Sequence, residues 1–240
     1  MRLLQFALLA ATLSLPLPAI AGDAATPNVL GFSADGSIFA FEEYGVQDGS
    51  GFSYANRFYI DTKTDRFVEA SPIRVTLEDE SAAPPEARTR ARQLGEAIVP
   101  QAVLDANPGF TAGWNALTER SADPSRIVVL PRPVFPAIDP PVEFRLEGIP
   151  FASPSGCEDF GDTVGFRLLR IDPTPGGATT VVHEDKAVPA GRRCPLGYAI
   201  GGVQTFYPGS GGPVFAVMVA VRSVGFEGPD HRWIAVTGRL

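Results

Sequence analysis

The chain has 240 residues, 45% of them hydrophobic and 20% charged, with 25 glycines and 23 prolines, a profile that excludes a collagenous or low-complexity chain and a long coiled coil. Twenty Lys plus Arg against 27 Asp plus Glu leave a net charge of −7. The basic residues are scattered, so a polyphosphate backbone finds no electrostatic footprint and nucleic acid is not an expected partner.

The chain opens with Arg2 and the apolar run LLQFALLAATLSLPLPAI, which ends in Ala19, Ile20 and Ala21 before Gly22. A basic start, a hydrophobic segment broken by Pro16 and Pro18, and small residues where a signal peptidase grips predict a secretory signal over residues 1–21. Cleavage is expected after Ala21. An uncleaved membrane anchor is the alternative, and the two prolines and the A-x-A site weigh against it. Loss of Arg2 takes the charge from −7 to −8. No later stretch is apolar for long enough to span a bilayer, so the expected product is soluble and periplasmic or secreted. Residues 22–240 are expected to form one β-rich domain.

From Asn28 the pattern has period two. NVLGFS and IFAFEEYGV read as strands around the turn ADGS, where Gly36 suits a positive φ. The Gly-rich loop QDGSGFSY follows, then the strand NRFYIDT, a KTD turn with Asp65, and RFVEASPIRVTL as a fourth strand with Pro72 bending it or holding it at an edge. Four antiparallel strands in a row make a meander. The run G-F-S-x-D-G continuing into Ile38, Phe39, Ala40 and Phe41 resembles a blade of TolB-like and WD-type propellers.

A helical insertion is expected at about residues 80–108. In PPEARTRARQLGEAIVP the apolar stripe is Ala87, Ala91, Leu94 and Ile98, with Pro100 as the stop. Arg88, Arg90 and Arg92 fall on the solvated side. QAVLDAN adds a short second helix, closed by Pro108 and Gly109.

Strands then resume in RIVVLPR, VEFRLEGI, VGFRLLRI, ATTVVHE, YAIGGVQTF, PVFAVMVAVRSV and RWIAVTG, about eleven in all. The expected fold is mainly β, built of antiparallel meanders. An irregular two-sheet sandwich or open barrel ranks ahead of an incomplete propeller-like arrangement, since even four propeller blades need about sixteen strands. V-L-G-F, turn, I-F-A-F near the start echoes S-V-G-F, turn, W-I-A-V near the end. Two such hairpins are expected side by side, closing the structure.

The leader, the string LGFSADGSIFAFEEYGVQDGSGF with its following FYIDT, and the terminal GFEGPDHRWIAVTG together resemble a family of predicted secreted proteins of Gram-negative bacteria whose domain has no assigned function. That resemblance implies export and a single β-rich domain. It carries over no catalytic residues.

Cys157 and Cys194 are the two cysteines. In an oxidising compartment an even pair is expected to bond; a metal site would need further ligands, and the only histidines are His183 and His231. GSGGPV at 209–214 resembles the nucleophile loop of trypsin-like serine peptidases. However, Gly209 stands where that loop has aspartate, and His183 lies only 27 residues before Ser210, so no triad is transferred. Glu158, Asp159 and Asp162 in CEDFGD form a candidate ion or ligand loop, with solvated charge as the default. Asp48, Phe52 and Tyr54 on the glycine loop form a candidate binding loop for a peptide, glycan or envelope protein. No cofactor pattern is present in the sequence. The favoured reading is a non-catalytic exported binding module, and the alternative is a hydrolase using carboxylates or Ser210.

Overall fold

A computed structural model describes residues 22–240; the expected leader, residues 1–21, lies outside the described residues. The strands are β1 (Thr26–Phe32), β2 (Ile38–Val46), β3 (Ser53–Asp61), β4 (Arg66–Phe67), β5 (Ile73–Leu77), β6 (Phe110–Trp114) and β7 (Arg126–Val129). They continue with β8 (Val142–Phe151), β9 (Thr163–Ile171), β10 (Thr179–Glu184), β11 (Pro195–Phe206), β12 (Val214–Ser223) and β13 (Asp230–Arg239). Two helices, α1 (Pro84–Gly95) and α2 (Gln101–Ala106), separate β5 from β6.

The strands form three antiparallel sheets. The first runs β1-β2-β3 with β4 and β5 both on β3, the second β13-β12-β11-β6, and the third β10-β9-β8-β7. The second sheet lies between the other two, and β12 shows why. Its side chains alternate, so Val214, Ala216, Met218 and Ala220 pack with Phe32, Phe39, Phe41 and Phe58 of the first sheet. Phe215, Val217 and Val219 pack instead with Phe144, Leu146, Phe166 and Leu168 of the third. An uninterrupted apolar run needs cover on both faces. The mainly β, antiparallel fold with a helical insertion is therefore as expected, with three stacked sheets rather than two and no closed barrel.

The helices cover the outer face of the first sheet, where Ala87, Ala91 and Leu104 meet Ala40, Ala55 and Tyr59. Pro84 and Pro85 open α1 with φ already set for a helix. The buried stripe is Ala87, Ala91 and Gly95, while Leu94 is 58% exposed. The expected stripe thus fails at Leu94. The reason is close approach: a Cβ on Gly95 would overlap the Tyr59 hydroxyl and crowd Arg57, so only small residues fit that face.

Two further differences raise the strand count from eleven to thirteen. The expected fourth strand is two pieces, β4 and β5, which pair with opposite ends of β3; Pro72, which has no N–H to donate, lies between them. β6, which sequence periodicity missed, pairs with β11. The end hairpins do lie side by side: Ala25 donates its N–H to the carbonyl of His231 at 3.0 Å, and His231 donates back to Asp23 at 2.9 Å.

Candidate ligand-binding cleft

Cys157 and Cys194 form a disulfide with Cα atoms 5.6 Å apart. Glu158, Asp159 and Asp162 beside it are exposed; Glu158 accepts the backbone N–H of Gly156 at 2.6 Å. Among the described residues no group of three or more His, Cys, Asp or Glu side chains is placed to hold a metal ion, and no helix is long and apolar enough to cross a membrane.

The candidate binding loop needs correction. Tyr54 is only 3% exposed, because strand alternation turns it inward, where its hydroxyl donates to Asp23 at 3.0 Å and its ring lies under the Arg232 guanidinium. Phe52 is half-buried. Asp48 accepts the Glu227 N–H at 2.8 Å, which ties the glycine loop to the β12–β13 turn. These three residues do not make a contiguous exposed patch.

Ser210 is exposed in the loop after β11, and no hydrogen bond joins it to His183. Both ring nitrogens of His183 face carboxylates instead, Nε2 at 3.1 Å from Asp185 and Nδ1 at 3.5 Å from Asp65. The structure does not bring a serine and its base together here.

What it does bring together is a cleft of about 870 Å³ along the outer edge of β13, where all three sheets meet. Phe58, Ile60 and Phe67 of the first sheet form one wall. His183 from β10 and the segment containing Pro189, Gly191 and Arg192 form another, and β13 contributes residues from Arg232 to Val236. A volume of this size falls within the range of small-ligand sites.

Three carboxylates organise the β13 edge. Asp23 accepts the Arg232 guanidinium through Oδ2 at 2.5 Å. Glu43 accepts the Trp233 N–H at 2.7 Å and the Asn56 amide at 3.0 Å. Asp65, at a left-handed turn with φ 54°, accepts the Thr237 N–H at 2.7 Å. Burial raises the pKa of Glu43, against the lowering effect of its two hydrogen bonds. For His183 burial favours the neutral ring, but hydrogen bonds to Asp185 and Asp65 outweigh it and the pKa rises. Burial likewise works against ionised Asp185, and bonds from His183, the Phe166 N–H and Arg192 bring its pKa down on balance.

Five arginines line the cleft: Arg66, Arg74, Arg192, Arg193 and Arg232. Three already have carboxylate partners, Arg192 with Asp185, Arg193 with Asp230, and Arg232 with Asp23. Arg66 and Arg74 are exposed at the rim, and among the described residues no carboxylate pairs with them. The arrangement is an apolar slot with two uncommitted cations at its mouth.

Comparison with protein families places residues 40–239 within a model described as "Predicted secreted protein (DUF2259)". The chain belongs to this family. The match contains every residue lining the cleft and both cysteines, while β1 lies outside it. The family is one of predicted secreted proteins of unknown function. Searches of curated proteins and of solved structures found no match to the chain.

The DUF2259 description carries no site, so the cleft rests on geometry. Part of it was readable. Phe39, Phe41 and Glu43 share one face of β2 by period two, so Glu43 had to turn inward beside two core aromatics. The KTD pattern marks Asp65 as a turn residue, but its reach to β13 and β10 spans three sheets, and no local pattern encodes that.

Proposed function

We infer that this chain is an exported, non-catalytic binding protein, synthesised with a leader over residues 1–21 and folded as one domain over 22–240, whose ligand seats in the β13 cleft. The family's description as predicted secreted supports export, as does the disulfide, which persists in oxidising compartments. The observation that carries the binding reading is the pairing of an apolar slot with Arg66 and Arg74, neither held by a carboxylate. Such a site suits a ligand with an apolar body and an anionic group, as an envelope component would present.

The test uses anilinonaphthalene sulfonate, an apolar fluorophore with one negative charge. Saturable one-site binding is expected, quenching Trp233 in the cleft wall, and weakened about tenfold by the double variant Arg66→Ala/Arg74→Ala, since each exposed charge contributes up to about 1 kcal/mol. Absence of binding, or equal binding by the double variant, overturns the reading. For export, the protein recovered outside the cytosol is expected to begin at Gly22 by intact mass.

A further inference from the structure

β13 is the edge strand of the middle sheet: β12 pairs with it along one side in unbroken register from Val214 opposite Arg239 to Ser223 opposite Asp230, while on its other side the described residues give a single bridge, Ala24 to His231, at its start. Along such a strand every second residue turns its N–H and C=O away from the sheet. His231, Trp233 and Thr237 belong to that outward set, and each has its N–H taken: by the Asp23 carbonyl, the Glu43 carboxylate and the Asp65 carboxylate. Ala235 falls in the same set by period two. Among the described residues nothing accepts its N–H, and nothing donates to its carbonyl or to that of Trp233. Ala235 lines the cleft.

The edge is therefore blunted by carboxylates at two positions and left open between them. Natural proteins cover or charge free edges because an unpaired strand invites another chain. Here the opening sits inside a cleft with Phe58 and Ile60 beside it and Arg66 and Arg74 at the rim. A purely apolar anion fills such a slot without using the main-chain groups of Ala235. An extended peptide uses both, since one residue set opposite Ala235 exchanges two hydrogen bonds with it while its neighbours' side chains alternate between the slot and the rim.

We propose that the ligand is an extended acidic peptide, which adds a short strand to β13 at Ala235 and places carboxylates against Arg66 and Arg74. This rests on the binding reading above and narrows its ligand class. The Glu43 and Asp65 caps confine pairing to the stretch around Ala235, so the peptide is held by a few residues and not by a long added strand.

The experiment measures displacement of anilinonaphthalene sulfonate from the full mature chain by the capped peptide acetyl-Val-Glu-Val-Glu-Val-amide. Two further peptides carry N-methyl groups on the main-chain nitrogens of either the valines or the glutamates, so that one of them loses the edge-facing donor in any register. The parent peptide is expected to displace the dye, and one methylated peptide to be weakened at least about tenfold, the scale of losing a hydrogen bond whose partner stays buried. On the protein side, Ala235→Pro removes the outward N–H without touching the β12 ladder, and is expected to lose the peptide and keep the dye. Equal binding by all three peptides overturns the proposal, as does dye binding with no displacement; the latter leaves the cleft reading standing. If neither dye nor peptide binds, both readings fall.

Discussion

Asp65 faces His183 across the boundary between two sheets, its Oδ2 3.5 Å from the imidazole Nδ1. The turn after β3 is thereby clasped to β10 of the third sheet, and because the other carboxylate oxygen holds the Thr237 N–H, the same aspartate also fastens β13 of the middle sheet. On the far side of the ring Asp185 takes Nε2 at 3.1 Å, and Phe166 stacks beneath it with centroids 4.6 Å apart. Two carboxylates around one half-buried ring make this clasp stronger when the ring is charged.

That gives a pH dependence with a definite sign. The folded-state pKa of His183 is raised above the ordinary value of 6.5, so its stabilising contribution is complete below that value and lost as pH rises through the raised one. Asp185, with a lowered pKa, acts in the opposite, acidic range, where its contribution is lost as pH falls. The melting temperature of the wild type is expected to fall as pH rises above the ordinary histidine value of 6.5, and that of His183→Gln to fall by less. Parallel slopes for the two proteins would count against the clasp.

Gly201 and Gly202 in β11 make room for the two tryptophans. A Cβ on Gly201 would overlap the ring of Trp233, and one on Gly202 would overlap that of Trp114; the two indoles lie stacked at 5.7 Å. Overfilling a packed site of this kind costs about 1–3 kcal/mol. Gly201→Ala is expected to lower the urea midpoint accordingly and to alter the near-ultraviolet circular dichroism of the tryptophan pair. An unchanged midpoint would mean that Trp233 moves aside freely, which its hydrogen bond from Nε1 to the Ala25 carbonyl at 2.9 Å opposes.

The disulfide closes a separation of 37 residues between the loop after β8 and the start of β11. Constraining an unfolded loop of that length is worth about 4 kcal/mol on the chain-entropy account. Cys157→Ser/Cys194→Ser is expected to unfold at clearly lower denaturant. Reduction of the wild type should lower its midpoint to a similar extent, and a variant as stable as the oxidised parent would refute the assignment.

How much of this was readable depends on the range of the contact. The pairing of two cysteines follows from their number and compartment, and the β12 strand follows from the uninterrupted apolar run of eight residues, VFAVMVAV, that opens it. The third sheet is harder to read, because the need to cover both faces of β12 says nothing about which strands do so. Tyr54 misled for a related reason: Gly49 and Gly51 mark a loop, but β3 begins at Ser53, and one residue of strand is enough to turn the ring inward. The cleft was illegible for its longest contacts, Glu43 to Trp233 and Asp65 to Thr237, which join positions 190 and 172 residues apart.

Arg88 illustrates the same limit and yields a last prediction. Helical spacing put it on a solvated face, yet it lies over the Tyr44 ring at 4.2 Å and donates its Nε to Glu42 at 2.9 Å. Glu42 is opposite Arg57 in the β2–β3 register, and both are almost wholly buried beneath α1, with Arg57 also bonded to Gln101 of α2. Glu42 thus neutralises an arginine that has no access to water, and it pins the helical layer to the sheet through Arg88. Removing one member of a buried pair leaves an uncompensated charge, at a cost of about 3–5 kcal/mol. Glu42→Ala is expected to lose that much stability, whereas Glu42→Ala/Arg57→Met, which removes both charges and restores apolar volume, should recover most of it. Equal losses in the single and double variants would show that Glu42 acts through Arg88 and the helix rather than through Arg57, and Arg88→Ala, which leaves the buried pair intact, would then reproduce the whole loss instead of the smaller one expected for a partly exposed partner.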